Sequence, residues 1–177
     1  MILKGQKVIL RPVKMDDAPR FVKWFNDAEV NKFLNLRKVN LIDEKKWVKQ
    51  KIKNKNSGDL FFCIDTKEGV HIGTVALEAI HNLDKRAVFG IMIGEKDYWN
   101  NGYGTDAAKV ILNYGFKKLK LHRIQLDVYS FNKRAVKVYK RIGFRLEGVM
   151  RDHVRFEGKY YSAYLMSMLE SEWNKTN

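Results

Sequence analysis

Apolar and polar residues follow regular spacings along most of the chain, and the pattern is clearest in the C-terminal half. Residues 123–128 alternate at every second position, which predicts a half-buried strand. The apolar residues before and after this strand recur at helical spacing, so each set predicts a helix. The first set is Ala108, Ile111, Leu112, Gly115 and Leu119, and the second is Ala135, Val138, Tyr139 and Ile142.

Turn residues predict where the C-terminal elements begin and end. Asn132 is expected to cap the second helix, and Gly143 is expected to end it. Two strands complete this half, one over 145–156 and one over 160–168, joined at Glu157 and Gly158.

The N-terminal half predicts shorter elements. A strand over residues 7–11 ends at Pro12, and Asp16 or Asp17 is expected to cap a helix that carries Pro19 in its first turn. The other predicted elements are a helix from Asp43 to near Asn54–Asn56 and strands over 60–64, 72–80 and 87–93. No linker, repeat or low-complexity tract divides the chain, so we expect one domain over residues 1–177. The fold class is α+β, with a mainly antiparallel sheet and one strand–helix–strand crossover.

Composition excludes several classes of protein, and charge adds one expectation. Of the 177 residues 45% are hydrophobic and 12% aromatic, which excludes a disordered chain. Cys63 is the only cysteine, so a disulfide framework is excluded and Cys63 is interpreted as core. No membrane span and no signal peptide are recognised, so we expect a cytoplasmic protein. Lys and Arg number 34 against 20 Asp and Glu, a net charge of +14 that predicts attraction to polyanions.

Residues 99–105 form a glycine-containing segment between a predicted strand and a predicted helix. Gly102 and Gly104 allow close approach of the backbone to a ligand, and the start of a helix offers unpaired N–H groups. Together these features are typical of a phosphate or pyrophosphate site. The segment lacks the Gly-Lys-Ser/Thr of a Walker loop and the third glycine of a dinucleotide-binding fingerprint.

A second segment, over residues 132–144, carries a longer pattern of spaced residues. Asn132, Ala135, Tyr139, Gly143 and Phe144 fit the pattern Asn-x-x-Ala-x-x-x-Tyr-x-x-x-Gly-Phe. In this order and spacing the two segments resemble the acetyl-CoA-binding signatures of the GNAT superfamily of acyl-CoA N-acyltransferases. The resemblance covers residues 72–169 well and the first seventy residues only in the order of their elements. Trp99 stands where the superfamily pattern has Arg or Gln, which resembles the branch of ribosomal-protein N-terminal acetylases and spermidine acetyltransferases.

The resemblance implies a fold and a set of cofactor contacts. It implies about seven strands flanked by about four helices, with two central strands splayed to form a cleft for acetyl-CoA. Pantetheine would pair with one splayed strand, and the pyrophosphate would lie on the glycine-containing turn. The implied cofactor-binding residues are Ile91, Met92, Ile93, Trp99, Asn100, Asn101, Gly102, Tyr103, Gly104, Thr105, Asn132, Arg134 and Tyr139.

The implied reaction is direct attack of an amine on acetyl-CoA, without an acyl-enzyme. Tyr139 is the candidate donor to the leaving thiolate. A base or a water chain must take the proton of the amine. Glu78 is the first candidate base, because strand alternation places it with Thr74 and Ala76 on one face, and Glu29 is the second. The four histidines lack metal-ligand spacing, so no metal is expected.

The acceptor amine and the partners stay open at this stage. Residues 1–59 hold 15 Lys and Arg against 7 Asp and Glu, which favours a protein or peptide amine over a polyamine of the spermidine type. An amino sugar is a further alternative acceptor. The basic surface leaves open a contact with nucleic acid or ribosomes, including a binding module without catalysis. A homodimer is also left open.

Overall fold

A computed structural model describes residues 1–34, 36–53 and 58–176. Over these residues the chain forms eight strands and six helices. The strands are β1 (Leu3–Lys4), β2 (Val8–Pro12), β3 (Leu60–Thr66), β4 (His71–His81), β5 (Arg86–Ile93), β6 (Arg123–Tyr129), β7 (Arg145–Phe156) and β8 (Lys159–Leu169). The helices are α1 (Ala18–Asn26), α2 (Ala28–Asn31), α3 (Leu41–Lys53), α4 (Tyr103–Lys117), α5 (Lys133–Ile142) and α6 (Glu170–Thr176).

The strands are ordered β1-β2-β3-β4-β5-β6-β8-β7 in one sheet. Strand β5 pairs with β6 in parallel, and α4 supplies the crossover between them. The pairs β1–β2, β2–β3, β3–β4, β6–β8 and β7–β8 are antiparallel. The predicted class is therefore confirmed, while the predicted counts of seven strands and four helices fall short. The elements missed are short or terminal: β1, α2 and α6.

The chain divides into two compact units, each with its own packing. The first comprises Met1–Glu78 and Gly90–Ile111, and the second comprises Ala79–Phe89 and Leu112–Asn177. The buried apolar cluster of the first unit is Ala18, Phe21, Trp24, Val30, Val48, Cys63 and Met92. In the second unit, Phe89 packs edge-on against Tyr139 and lies 5.9 Å from Phe144 between ring centroids. The expectation of one domain stays a prediction.

Two N-terminal helices begin differently from the prediction. Asp17 does precede α1, but its side chain makes no capping bond to that helix. Its carboxylate instead binds Arg11 and accepts from the backbone N–H of Lys14. Helix α3 begins at Leu41 rather than Asp43, because the side chain of Asn40 accepts from the N–H of Asp43 and so caps the helix. The predicted end of this helix near Asn54–Asn56 lies outside the described residues.

The C-terminal elements follow the sequence pattern closely. Asn132 caps α5 through a bond from the N–H of Ala135 to its side-chain oxygen, 3.1 Å long, and Gly143 ends the helix at φ +118°. Helix α4 ends at Lys117, so Leu119 lies beyond it, and Phe116 is the last buried residue of its apolar face. Within the described ranges, no helix combines the length and the apolar character that crossing a membrane requires.

Candidate active site

The turn into α4 is shaped by two residues with left-handed backbone conformation. Asn100 has φ +61° and Gly102 has φ +84°. Gly102 allows this conformation without strain, whereas a β-branched residue there would be strained. A Cβ placed on Gly104 would lie 3.4 Å from Cγ1 of Ile93, so the first turn of the helix packs closely on the end of β5. The turn therefore leads directly into the first N–H groups of α4, which lack acceptors inside the helix.

The side chain of Lys7, just before β2, contacts this turn. Nζ of Lys7 donates to the backbone oxygen of Asn101 at 3.0 Å and lies 5.4 Å from the ring centroid of Tyr103. The carboxylate of Asp106 fixes the lysine's backbone, because it accepts from the N–H groups of Gln6, Lys7 and Val8 at 2.7–3.2 Å. The N-terminal end of α4 thus carries both the carboxylate of Asp106, which is bound by backbone N–H groups, and the ammonium of Lys7, which lies on the turn. The ammonium and the helix N–H groups are the features there that favour an anionic ligand.

The end of β5 is held tightly within the first unit. A Cβ on Gly73 of β4 would lie 2.1 Å from the backbone oxygen of Met92, so glycine is required for this close approach. The indole N–H of Trp99 donates to the backbone oxygen of Ile93 at 2.7 Å. Trp99 therefore links the turn to the end of β5. This bond gives a physical role to the residue that departs from the Arg or Gln pattern.

Asn132 and Tyr139 lie in the second unit, Asn132 at the start of α5 and Tyr139 within it. The cap uses the side-chain oxygen of Asn132, so its NH₂ group is the part of the side chain that can donate to a ligand. Tyr139 is buried between the rings of Phe89 and Phe144. Burial raises the pKa of Tyr139 to about 12, because a phenolate would lose its hydration there. The hydroxyl is consequently protonated at neutral pH. Arg134, on the same helix, is exposed.

Glu78, the first candidate base, forms an ion pair with a lysine of α3. Its Oε1 accepts from Nζ of Lys51 at 2.7 Å, and its side chain is 47% exposed. The ammonium of Lys51 also lies 5.5 Å from the ring centroids of both Trp47 and Phe61. One oxygen of the candidate base is therefore engaged by a cation of the chain itself.

Glu29, the second candidate base, lies near the end of α1 as expected, but in the separate short helix α2. Asp27 ends α1 and caps α2, so the segment is a separate short helix. The Glu29 carboxylate accepts from Nζ of Lys96 at 2.7 Å, and Asp27 pairs with the same ammonium at 2.9 Å. Hydrogen bonds to Glu29 and Asp27 raise the pKa of Lys96. Glu29 thus belongs to an exposed ion-pair cluster.

Asp17, Cys63 and His71 form a buried cluster whose potential ligand atoms lie within 4.8 Å of one another. These atoms are already bound by the protein. Arg11 binds both carboxylate oxygens of Asp17 at 2.8 Å, and the thiol of Cys63 donates to Asp17 at 3.3 Å. Burial alone would raise the pKa of Asp17, but the bonds from Arg11 and His71 hold it well below its usual range. Because a guanidinium occupies the carboxylate, the donor set fits a hydrogen-bond network and not a cation site.

A comparison with protein families assigns the chain. The family described as an acetyltransferase (GNAT) domain matches residues 7–145, which include the turn at 99–105 and the segment from Asn132 to Phe144. The chain belongs to the GNAT acetyltransferases. It is therefore an N-acetyltransferase, and acetyl-CoA is the acetyl donor of its fold.

Two relatives of this GNAT enzyme carry the names of N-acetyltransferases. It is 26% identical over 174 residues to the uncharacterized N-acetyltransferase p20 of Bacillus licheniformis, covering 97% of each chain. It is 32% identical over 106 residues to the spermidine N(1)-acetyltransferase of Escherichia coli K12, covering 60% of this chain and 56% of that protein.

Solved structures share the fold over almost the full length. A GNAT-family acetyltransferase from Bacillus anthracis has a TM-score of 0.82 at 25% identity, with 97% of this chain and 100% of that chain covered. The spermidine N-acetyltransferase of Vibrio cholerae, crystallised with CoA and spermine, has a TM-score of 0.85 at 24% identity. That alignment covers 94% of this chain and 98% of the other chain, and it supports the fold alone.

Sequence reasoning located some parts of the GNAT site and missed others. The glycine-containing turn and the Asn132 cap have the predicted geometry, while the cofactor contacts assigned to both stay predictions. Lys7, Asp106 and Lys51 were missed. Lys7 lies about a hundred residues before its partner Asp106, and no local pattern connects them. The only sequence signal for this contact was Asp106 itself, because an acidic residue in the first turn of a helix often binds backbone N–H groups.

Proposed function

We propose that this GNAT enzyme transfers the acetyl group of acetyl-CoA to the primary amine of a protein or peptide. The observation that supports this acceptor is the charge of the N-terminal region, 15 Lys and Arg against 7 Asp and Glu over residues 1–59. A polycation would be repelled by this balance, whereas an acidic peptide would be attracted. The pairing of Glu78 with Lys51 supports the same acceptor, because it neutralises a carboxylate that an added cation would need.

The proposed donor site uses backbone groups more than side chains. The pyrophosphate of acetyl-CoA would bind the N–H groups at Asn101–Thr105, with the ammonium of Lys7 beside them. The backbone of Ile91, Met92 and Ile93 would pair with pantetheine. Trp99 already binds the oxygen of Ile93, so this role falls mainly to the remaining backbone groups of the strand.

Tyr139 and Asn132 have roles in the chemistry and in cofactor binding. The amine nitrogen attacks the thioester carbon, and collapse of the tetrahedral intermediate breaks the carbon–sulfur bond and releases a thiolate. The hydroxyl of Tyr139 would donate to that sulfur, and the amide NH₂ of Asn132 would donate to pantetheine. Since the pKa of Tyr139 is raised to about 12 while that of a thiol such as cysteine is about 8.5, a hydrogen bond is favoured over full proton transfer.

The proton lost by the attacking amine needs an acceptor. Glu78 and water are the two routes considered, and the ion pair favours water. Oε1 of Glu78 is held by Lys51, so a proton arriving there would displace an ammonium. The α-amino group of a peptide has a pKa of about 7.7–8.0, so a fraction is unprotonated near neutral pH and can attack directly. The proton that its nitrogen loses after the attack would then pass to water.

A polyamine is the second candidate acceptor. It is favoured by the comparisons, since one relative is named a spermidine N(1)-acetyltransferase and one structural neighbour holds spermine. The basic balance of residues 1–59 opposes this candidate.

A panel of amines with acetyl-CoA, followed by release of free thiol, distinguishes the two acceptors. We expect kcat/KM for peptides with acidic residues after a free N-terminus to exceed kcat/KM for spermidine. A value for spermidine well above all peptides would replace the first candidate by the second. Absence of thiol release with every amine in the panel would overturn both.

A further inference from the structure

The ammonium of Lys51 is enclosed by Trp47, Phe61 and Glu78 on the first unit, where α3 meets the sheet. Trp47 and Lys51 are four residues apart on α3, so their side chains share one face. Phe61 of β3 lies opposite Ala76 of β4, and Glu78 is two residues further along the same face of β4. The helix face and the sheet face therefore meet around one ammonium group.

The geometry around Lys51 is that of a site that recognises alkylammonium groups. The rings of Trp47 and Phe61 lie edge to face with centroids 5.1 Å apart, and each centroid is 5.5 Å from Nζ. The carboxylate of Glu78 completes the site at 2.7 Å. Aromatic faces and a carboxylate both attract an ammonium, and the side chain of Lys51 is only 23% exposed, so water competes weakly.

Because Lys51 is tethered to a helix, an added amine must compete with it at a high local concentration. A short tether keeps a group at an effective concentration of about millimolar or more. A second ammonium on an acceptor would therefore gain little from this site while Lys51 occupies it. The ammonium of Lys51 already supplies the positive charge that Trp47, Phe61 and Glu78 would otherwise bind on an acceptor.

We propose that Lys51 determines acceptor specificity by occupying the site formed by Trp47, Phe61 and Glu78. This inference rests on the proposed amine acetylation. The residue disfavours acceptors that carry a second ammonium, such as spermidine, relative to acceptors with one amine. Removing the ammonium opens the site to such a group, and the carboxylate of Glu78 is what then binds it.

The test compares Lys51→Met with Lys49→Met. Methionine keeps the apolar stem that packs on the rings but removes the charge. Lys49 is exposed on the same helix, so its variant makes the same change in net charge without touching the site. We expect Lys51→Met to raise the ratio of kcat/KM for spermidine over that for butylamine about tenfold, and Lys49→Met to leave it unchanged.

Two further variants test whether the charge of residue 51 and the carboxylate of Glu78 cause the change in acceptor preference. Lys51→Arg keeps a cation in the site and should keep the wild-type ratio. The double variant Lys51→Met with Glu78→Gln should lose the gain. An unchanged ratio in Lys51→Met, an equal rise in Lys49→Met, or a gain that persists without the Glu78 carboxylate would each overturn the proposal.

Binding without turnover separates this proposal from the proposed function. Calorimetric titration of spermidine should show about tenfold tighter binding to Lys51→Met than to the wild-type protein, even if no amine is acetylated. Equal affinities would overturn the cation site, while absent thiol release with every amine would overturn only the proposed acceptors. If Lys51→Met does not fold, Lys51→Gln serves in both measurements with the same expected outcomes.

Discussion

The turn at residues 99–105 and the face of α3 that carries Lys51 are built on different principles. The turn depends on local backbone geometry, with positive φ at Asn100 and Gly102 and with first N–H groups of α4 that have no acceptor within the helix. The α3 face depends on side chains that are distant in sequence, since Lys51 meets Glu78 across 27 positions. The binding of acetyl-CoA that we propose would depend on the first construction. The choice of acceptor that we propose would depend on the second, in which a single substitution can alter the contacts.

The largest expected effect comes from Tyr139, for which we propose a hydrogen bond to the leaving thiolate. Tyr139→Phe should lower kcat about hundredfold, because the leaving thiolate loses its hydrogen-bond donor. The dissociation constant of acetyl-CoA should change less than about twofold, because the hydrogen bond to sulfur strengthens mainly as the thiolate forms. Steady-state kinetics and calorimetry measure the two quantities. Tyr160→Phe, at an exposed tyrosine of the hairpin, is the control, and an equal kcat in both variants would remove Tyr139 from this role.

The next effect tests whether the binding of acetyl-CoA depends on the backbone conformation of the turn at 99–105. Gly102→Val places a β-branched residue at φ +84°, a strain of about 2 kcal/mol that the turn relieves in the free protein by changing its conformation. Restoring the original conformation on binding costs that energy, so we expect about thirtyfold weaker binding of acetyl-CoA. Gly148→Val is the matched control, because a Cβ at Gly148 meets nothing within 4 Å. Calorimetry measures both affinities. Unchanged affinity in Gly102→Val would mean that the turn does not hold the cofactor.

A smaller effect is expected from the contact between the ammonium of Lys7 and the turn at 99–105. Lys7→Met removes the ammonium beside Asn101 and should weaken acetyl-CoA binding about fivefold at low salt. The loss should shrink at high salt, because exposed charges are screened. Lys4→Met, on β1, changes the same net charge away from the turn. An equal loss in both variants would show a general effect of charge rather than a contact at the turn.

The smallest expected effect concerns pH. With its pKa raised to about 12, Tyr139 stays protonated up to about pH 11, so its titration should not lower the rate at alkaline pH. The rate should rise as the acceptor amine loses its proton and then change less than about twofold up to pH 10. A pH profile of kcat measures this. A decline between pH 8 and 10 that disappears in Tyr139→Phe would contradict the raised pKa.

The same contrast explains what could be predicted from the sequence. The cap at Asn132, the stop at Gly143 and the turn at Gly102 are local, so residue type and spacing determine them. The predicted capping role of Asp17 was wrong because Arg11 and His71 compete for its carboxylate, and His71 enters from another strand. Lys7 and Lys51 were missed for the same reason. Their partners depend on which strands and helices pack together, and a single sequence has no local pattern that predicts this packing.

The most direct test of this account compares two acetyl donors. S-acetylpantetheine lacks the pyrophosphate and nucleotide of acetyl-CoA, so it cannot use the turn at 99–105. Thiol release should show Gly102→Val lowering kcat/KM for acetyl-CoA about thirtyfold while changing that for S-acetylpantetheine less than twofold. An equal fall for both donors would contradict the claim that this turn holds the pyrophosphate.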